Sequence, residues 1–177
     1  MTKTNKNVQT KITRESIFGA LMILMEKKRL QEITITEITQ KAGVSRMAFY
    51  RNYNVVEDII TTYLDELFDD YAKGVSVFER KDGLESIAIY FTYFRKHEKL
   101  IKNLIGSNLT NLIFERGVAF LRSVSENMLC NKPNITQKEA YQIEFYAGGF
   151  YKVMIEWVRR GMKESDDDMA KMLYELF

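Results

Sequence analysis

The segment from Thr34 to Tyr50 contains two short helical patterns separated by a glycine, and no other feature constrains the fold as strongly. Thr34 is a good N-cap for a helix of about two turns. Gly43 is placed to end that helix, because glycine adopts the left-handed conformation at little cost. Ser45 is a good N-cap for a second helix, which ends near Tyr50. Since isolated helices below about 12 residues are marginal in water, both must pack on neighbouring helices.

Two neighbouring segments can supply that packing. A first helix is indicated over Thr13–Lys28, with Thr13 as its N-cap, and a long helical pattern follows Asn54. The side chains expected to be buried between these helices are Ile38, Ala42, Val44, Ala48 and Phe49. A helix, a tight glycine turn and a second helix on such a platform form a helix-turn-helix.

The rest of the chain also predicts helices. One proline and nine glycines in 177 residues, and apolar positions without strict alternation, favour an all-α fold of about nine helices. We expect a flexible basic arm over 1–10, a three-helix head over 11–54 and a helical-bundle body over 55–177. The body helices are predicted at about 55–74, 83–96, 99–107, 108–129, 137–160 and from 165 onward.

Charge is distributed unevenly along the chain. Residues 1–53 hold ten Lys or Arg and four Asp or Glu, a net charge of +6, whereas the other 124 residues have a net charge of −4. A basic unit of this kind suits double-stranded DNA, since phosphate neutralisation supplies most nonspecific affinity. The alternative of an unstructured basic tail accounts only for Lys3 and Lys6.

The second short helix is the candidate for reading bases. The first residues of such a helix reach base edges in the major groove, so we expect base contacts from Ser45, Arg46 and Met47. Phosphate contacts, which fix register without reading sequence, are expected from Thr34, Thr36, Lys41, Tyr50 and Arg51. The alternative is a helical hairpin whose polar residues simply face water.

This segment resembles the DNA-binding head of TetR-type (tetracycline-repressor-like) regulators. The similarity covers about residues 11–60 and rests on Thr34-Ile35 with Ile38, on Ala42-Gly43-Val44-Ser45, and on Phe49-Tyr50 with Tyr53. The resemblance implies an all-α homodimer with a divergent ligand-sensing and dimerisation body. It also implies a repressor that binds a palindromic operator and is released by a small-molecule effector.

Two residues depart from the family pattern. Asn52 stands where the family often has histidine, and Val56 stands where a lysine commonly meets a phosphate. Asn54 and the helix N-terminus that follows it are expected to offer donors to a phosphate instead. The stretch 146–165 also resembles one branch of the family, more loosely.

The resemblance implies that the last two long helices pair with their copies in a four-helix bundle. In the helix over 137–160 one apolar stripe is the candidate dimer interface: Ile143, Ala147, Phe150, Met154 and Trp157. The alternative is that this stripe belongs to the core of a single chain.

Aromatic residues suggest where an effector would bind. Helical bodies enclose apolar ligands with such side chains, and the candidate pocket residues are Tyr90, Phe94, Phe114, Phe145 and Tyr151. The alternative is that these aromatics are ordinary core.

Several functions are excluded by the inventory of residues. Cys130 cannot form an internal disulfide and His97 has no partners for a metal cluster, so we expect no metal, no cofactor and a reducing, cytoplasmic location. The longest apolar run, over 17–25, is too short to cross a membrane. No catalytic motif is present, so an enzyme is not expected. An activator, or a regulator controlled by a protein partner, remains the alternative.

Overall fold

The computed structural model describes residues 3–76, 83–128 and 136–176. Over these residues the chain is all-α, as predicted, with nine α-helices and no strand. The helices are α1 (Lys3–Leu24), α2 (Ile35–Ala42), α3 (Arg46–Tyr50), α4 (Glu57–Ser76), α5 (Gly83–Arg95), α6 (Glu98–Gly106), α7 (Asn111–Met128), α8 (Gln137–Arg159) and α9 (Asp166–Tyr174). Cys130, which is expected to form no internal disulfide, lies outside the described residues.

The chain divides into two compact units, Met1–Leu64 and Asp65–Phe177. The boundary falls inside α4, ten residues after the one expected at residue 54. The first turns of α4 belong to the head because Ile59 and Ile60 are fully buried there and Tyr63 stacks on Phe18 of α1, with 3.6 Å between ring centroids.

The core of the first unit is built from apolar positions at helical spacing. Ile17 and Leu21 of α1, Ile38 of α2 and Phe49 of α3 have no exposed surface. The smaller residues expected beside them, Ala42, Val44 and Ala48, are half-buried. The two short helices are therefore held by burial against the long ones, which is the packing that their length required.

Helix α1 begins earlier than the sequence suggested. It extends back to Lys3, so residues 3–10 are helical rather than an unstructured arm. Thr13, the expected N-cap, lies inside the helix, where its hydroxyl donates a hydrogen bond to the carbonyl oxygen of Gln9 at 2.8 Å. A threonine is tolerated there because this bond satisfies its side chain within the helix, and no glycine or proline interrupts the preceding residues.

In the second unit, α5 packs on α9, and α8 packs on both α6 and α7. The core between them is aromatic and aliphatic, with Phe91, Phe94, Leu104 and Met154 almost completely buried. A capping box at Thr136 and Glu139 starts α8, and Ser165 caps α9 by accepting a hydrogen bond from the Asp168 backbone N–H.

Candidate nucleic-acid interface

The helix-turn-helix is set by three local caps. The Thr34 hydroxyl accepts from the Glu37 backbone N–H at 3.2 Å, and the Glu37 carboxylate accepts from the Thr34 backbone N–H at 2.9 Å. Gly43 ends α2 with a φ of 67°, in the left-handed region. Ser45 starts α3 by accepting from the Ala48 backbone N–H at 3.1 Å. These bonds confirm the helix, turn and helix predicted from the sequence.

An ion pair fastens α2 to the turn that follows α1, which contains Lys28. The Lys28 ammonium hydrogen-bonds the Glu37 carboxylate, which also closes the capping box at Thr34. The hydrogen bond from Lys28, followed by those from Thr34, lowers the pKa of Glu37 to about 2. At neutral pH the Glu37 carboxylate is therefore charged, and it already accepts hydrogen bonds from Lys28 and Thr34.

Helix α3 has one buried and one exposed face. Phe49 is fully buried and contacts the ring of Tyr53 at a tilt of 55°, with centroids 5.8 Å apart. The three expected base-reading residues, Ser45, Arg46 and Met47, all lie on the exposed face, and Met47 is 65% exposed. The exposed Met47 side chain contributes no burial energy to the fold of this chain. It is therefore available to contact a partner.

Most of the expected phosphate-contacting residues lie exposed around that face, but the hydroxyl of Thr34 has another role. Thr36, Lys41, Tyr50 and Arg51 are exposed. The Thr34 hydroxyl, by contrast, donates to the Glu37 carboxylate at 2.9 Å, so it serves the capping box.

A cation that sequence reasoning missed supports the end of α3. Arg14 of α1 lies over the Tyr53 ring, 5.9 Å from its centroid, and its Nε donates to the Tyr53 hydroxyl at 3.4 Å. Asn52 donates from Nδ2 to the Ala48 carbonyl oxygen at 2.8 Å. These contacts fix the chain where it leaves α3, and the sequence shows only an arginine on the first helix.

The start of α4 differs from the prediction. Asn54 and the helix N-terminus after it were expected to offer donors to a phosphate. Instead the Asp58 carboxylate accepts from the backbone N–H of Asn54 at 2.7 Å and from that of Val55 at 3.1 Å. These two donors are therefore occupied, while the Asn54 side chain is exposed.

The stripe predicted as a dimer interface lies inside the second unit. Ile143, Ala147, Met154 and Trp157 are buried and Phe150 is half-buried. Trp157 contacts Phe91 edge-on, with centroids 5.2 Å apart, so α8 turns this stripe towards α5. Four of the five side chains therefore have almost no surface to offer a second copy, and the alternative of intramolecular core describes their environment.

The opposite face of α8 is exposed and carries aromatic side chains among polar ones. Tyr141 and Phe145 are 67% and 70% exposed, and Tyr146 lies beside Phe145. They line an open surface groove of about 660 Å³. Further along the helix Gly149 is exposed, with open space where a Cβ would stand.

The five expected pocket residues fall into three separate places. Tyr90 and Phe94 pack together in the core, with ring centroids 4.7 Å apart. Phe114 packs on Tyr151, with centroids 5.4 Å apart. Phe145 lies on the exposed face of α8 and joins neither pair.

The Tyr90 hydroxyl is enclosed by the chain itself. It donates to the sulfur of Met154 at 3.6 Å, and burial raises the pKa of its phenol. An effector between Tyr90 and Phe94 would have to separate rings that are in contact.

Among the residues that the structure describes, no group of three His, Cys, Asp or Glu side chains is arranged to hold a metal ion. Every helix over the same residues is too short or too polar to span a membrane.

A basic helix-turn-helix head joined to an all-α body is the architecture of an all-α transcriptional regulator. Residues 81–177, more than half of the chain, match the TetR_C_8 family, which is described as the transcriptional regulator C-terminal region. The chain belongs to the TetR-type family of transcriptional regulators.

Solved structures share the fold at low sequence identity. Lin0861 from Listeria innocua superposes with a TM-score of 0.80 at 14% identity, covering 96% of this chain and 91% of its own. A TetR-family regulator from Syntrophomonas wolfei gives 0.72 at 16%, covering 94% and 93%. The fatty acid degradation regulator FadR from Bacillus halodurans gives 0.69 at 17%, covering 93% of each chain. No curated protein matches the sequence significantly.

Proposed function

We propose that this regulator binds double-stranded DNA in a sequence-specific way through α2 and α3, and that it acts as a repressor. The exposed face of α3 carries the proposal: Ser45, Arg46 and Met47 face solvent while Phe49 anchors the helix in the core. Arginine forms paired hydrogen bonds with guanine, and methionine suits a thymine methyl group. Lys41 and Arg51 flank this face and supply charge for the phosphates.

The proposed active form is a homodimer on a palindromic site, because two such heads read two half-sites related by symmetry. We place the interface on the exposed face of α8, at Tyr141, Phe145 and Gly149. Large exposed aromatics on one helix mark an interaction surface, and the open space at Gly149 allows a second helix to approach closely. A symmetric pairing of this face would bury it on both copies.

Release by a small-molecule effector is the proposed control. The aromatic core around Tyr90 and Phe94 is apolar and has the character of an effector site. Because those rings touch each other, a ligand would bind by separating them, and that change is the proposed signal. Control by a protein partner, or activation rather than repression, is the alternative.

Selection from a random duplex library, followed by band shifts with the full-length chain, tests DNA binding. We expect a palindromic duplex to be selected and bound as a dimer, with affinity that falls steeply as salt rises. Binding no stronger than to the separated strands at low salt would contradict the proposal.

Substitutions identify the reading residue. Arg46→Ala should lose roughly 1–3 kcal/mol of binding and relax one base position, whereas Lys41→Ala should weaken all sequences alike. Lys163→Ala, which removes an exposed lysine outside the head, is the matched control and should leave binding unchanged. An equal loss on every sequence for Arg46→Ala would make Arg46 a phosphate contact.

A further inference from the structure

The start of α4 is occupied by a carboxylate of its own chain. Asp58 accepts hydrogen bonds from the backbone N–H groups of Asn54 and Val55 at 2.7 Å and 3.1 Å. Asn54 and Val55 lie just before α4, which begins at Glu57, and free backbone N–H groups beside the positive end of a helix are where a phosphate oxygen can bind. Here a carboxylate already occupies these two donors.

The charges near the start of α4 also disfavour a phosphate there. No lysine or arginine lies between Arg51 and Lys73, and Val56 is apolar. The acidic residues in that interval are Glu57, Asp58, Asp65, Glu66, Asp69 and Asp70. The basic part of the head therefore ends with α3, and α4 begins with two carboxylates in its first turn.

We infer that the Asp58 carboxylate keeps DNA phosphates away from the start of α4 and confines the backbone contacts to α2, α3 and the turns beside them. The inference rests on the proposed DNA binding. A phosphate that approached Asn54 or Val55 would meet a like charge and find both N–H groups taken.

The consequence is weaker binding to every sequence. Phosphate contacts add affinity for every sequence equally, whereas base contacts discriminate. By withholding a phosphate contact, Asp58 lowers the affinity for specific and nonspecific duplexes alike and leaves discrimination between them to α3.

The test uses Asp58→Asn in the full-length chain. Asparagine can still accept from the two backbone N–H groups as a cap, so the change removes the charge and keeps the fold. The probe is a fluorescein-labelled mixed-sequence duplex of about 30 base pairs, roughly three helical turns, titrated at several salt concentrations.

We expect Asp58→Asn to bind this duplex roughly threefold or more tighter at about 0.1 M salt. The difference between the variant and wild type should shrink as salt rises, because salt screens the repulsion that the variant removes. Binding to the selected palindromic duplex should tighten by the same factor, so discrimination between the two duplexes stays unchanged.

Asp69→Asn is the matched control, since it makes the same charge change later in α4, where the side chain is exposed. Asp58→Ser is a second neutral capping variant, which decides the matter where Asp58→Asn fails to fold. If the wild-type chain binds and neither folded Asp58 variant binds more tightly than Asp69→Asn, the inference is overturned. If wild type and variants all fail to bind any duplex, the proposed function fails and the inference fails with it.

Discussion

The guanidinium of Arg95 lies over the ring of Trp157, with its carbon 4.5 Å from the ring centroid. The same group donates to the Asp166 carboxylate at 2.6 Å and to the carbonyl oxygens of Met162 and Glu164 at 3.1 Å and 2.7 Å. One side chain thus joins α5 to α8, to the turn after α8 and to the start of α9. No arrangement of this kind is available to lysine, which lacks the planar fork.

Arg95→Lys should therefore destabilise the chain by about 2 kcal/mol, since several charge-assisted hydrogen bonds and the stacking contact are lost together. Urea unfolding measures the change. Arg122→Lys is the matched control: Arg122 pairs with Glu144 across α7 and α8 but both side chains are largely exposed, so a loss within about 0.5 kcal/mol is expected. Equal losses for the two variants would show that the Arg95 cluster adds nothing beyond a surface pair.

The ion pair at Glu37 predicts a pH dependence of stability. The pKa of Glu37 is lowered from its ordinary value of 4.5 to about 2 in the folded chain, mainly by the hydrogen bond from Lys28. A lowered folded-state pKa stabilises the fold above the unfolded-state pKa, and that contribution is lost as pH falls towards the folded-state value. Glu37→Gln should thus be less stable than wild type at pH 7, and the difference should shrink from about pH 5 to about pH 2.

Urea midpoints of wild type and Glu37→Gln across this pH range check the prediction. Glu15→Gln is the control, because Glu15 forms only a long, exposed contact of 3.9 Å with Lys11. A difference between Glu37→Gln and wild type that stayed constant with pH would mean that the charge of Glu37 is not the cause.

The head was predictable because its signals are local. Thr34, Gly43 and Ser45 form their capping hydrogen bonds with residues close to them in the chain. Such caps can be recognised in a single sequence. The hydrogen bonds of Asp58 could not be predicted, because they depend on the backbone path of the three loop residues before α4. The start of α1 was missed for a related reason: the polar residues before Thr13 lack an apolar face but contain nothing that breaks a helix.

The body was predictable as a set of helices but not as a set of contacts. The stripe containing Met154 and Trp157 has the spacing of a buried helix face, and spacing does not say whether the neighbour is the same chain or a copy. Phe145 and Tyr90 are both aromatic residues on predicted helices, yet Phe145 is 70% exposed while Tyr90 is half-buried, with its hydroxyl bonded to Met154. Only the three-dimensional packing separates them.

Tyr50 offers a test of the DNA face that is independent of charge. Its side chain is 48% exposed, so Tyr50→Phe should leave the melting temperature nearly unchanged. The loss of the hydroxyl should weaken duplex binding about fivefold, the worth of roughly one hydrogen bond. Thermal melts and band shifts on the same preparation measure both effects.

Tyr53→Phe is the matched control for Tyr50→Phe. Tyr53 is buried and its hydroxyl accepts from Arg14, so the same chemical change should lower thermal stability instead. A large fall in melting temperature for Tyr50→Phe would place its hydroxyl in the fold rather than at the DNA.

The proposed dimer surface can be separated from the core stripe by one substitution. Phe145→Asp places a charge on the exposed face of α8, where the side chain is 70% exposed in the single chain. If this face is the interface, the buried charge should shift the chain to a monomer and abolish tight binding to a palindromic duplex, while the helical content is retained. Sedimentation velocity measures the mass, and circular dichroism measures the helix.

Ile23→Asp is the control for Phe145→Asp, since Ile23 is an exposed apolar residue of α1, 41% exposed and in the other unit. It should leave the oligomeric state unchanged. A Phe145→Asp chain that stayed dimeric would remove the interface from this face of α8. Because the stripe at Met154 and Trp157 is already buried in the single chain, the interface would then have to lie on another exposed surface.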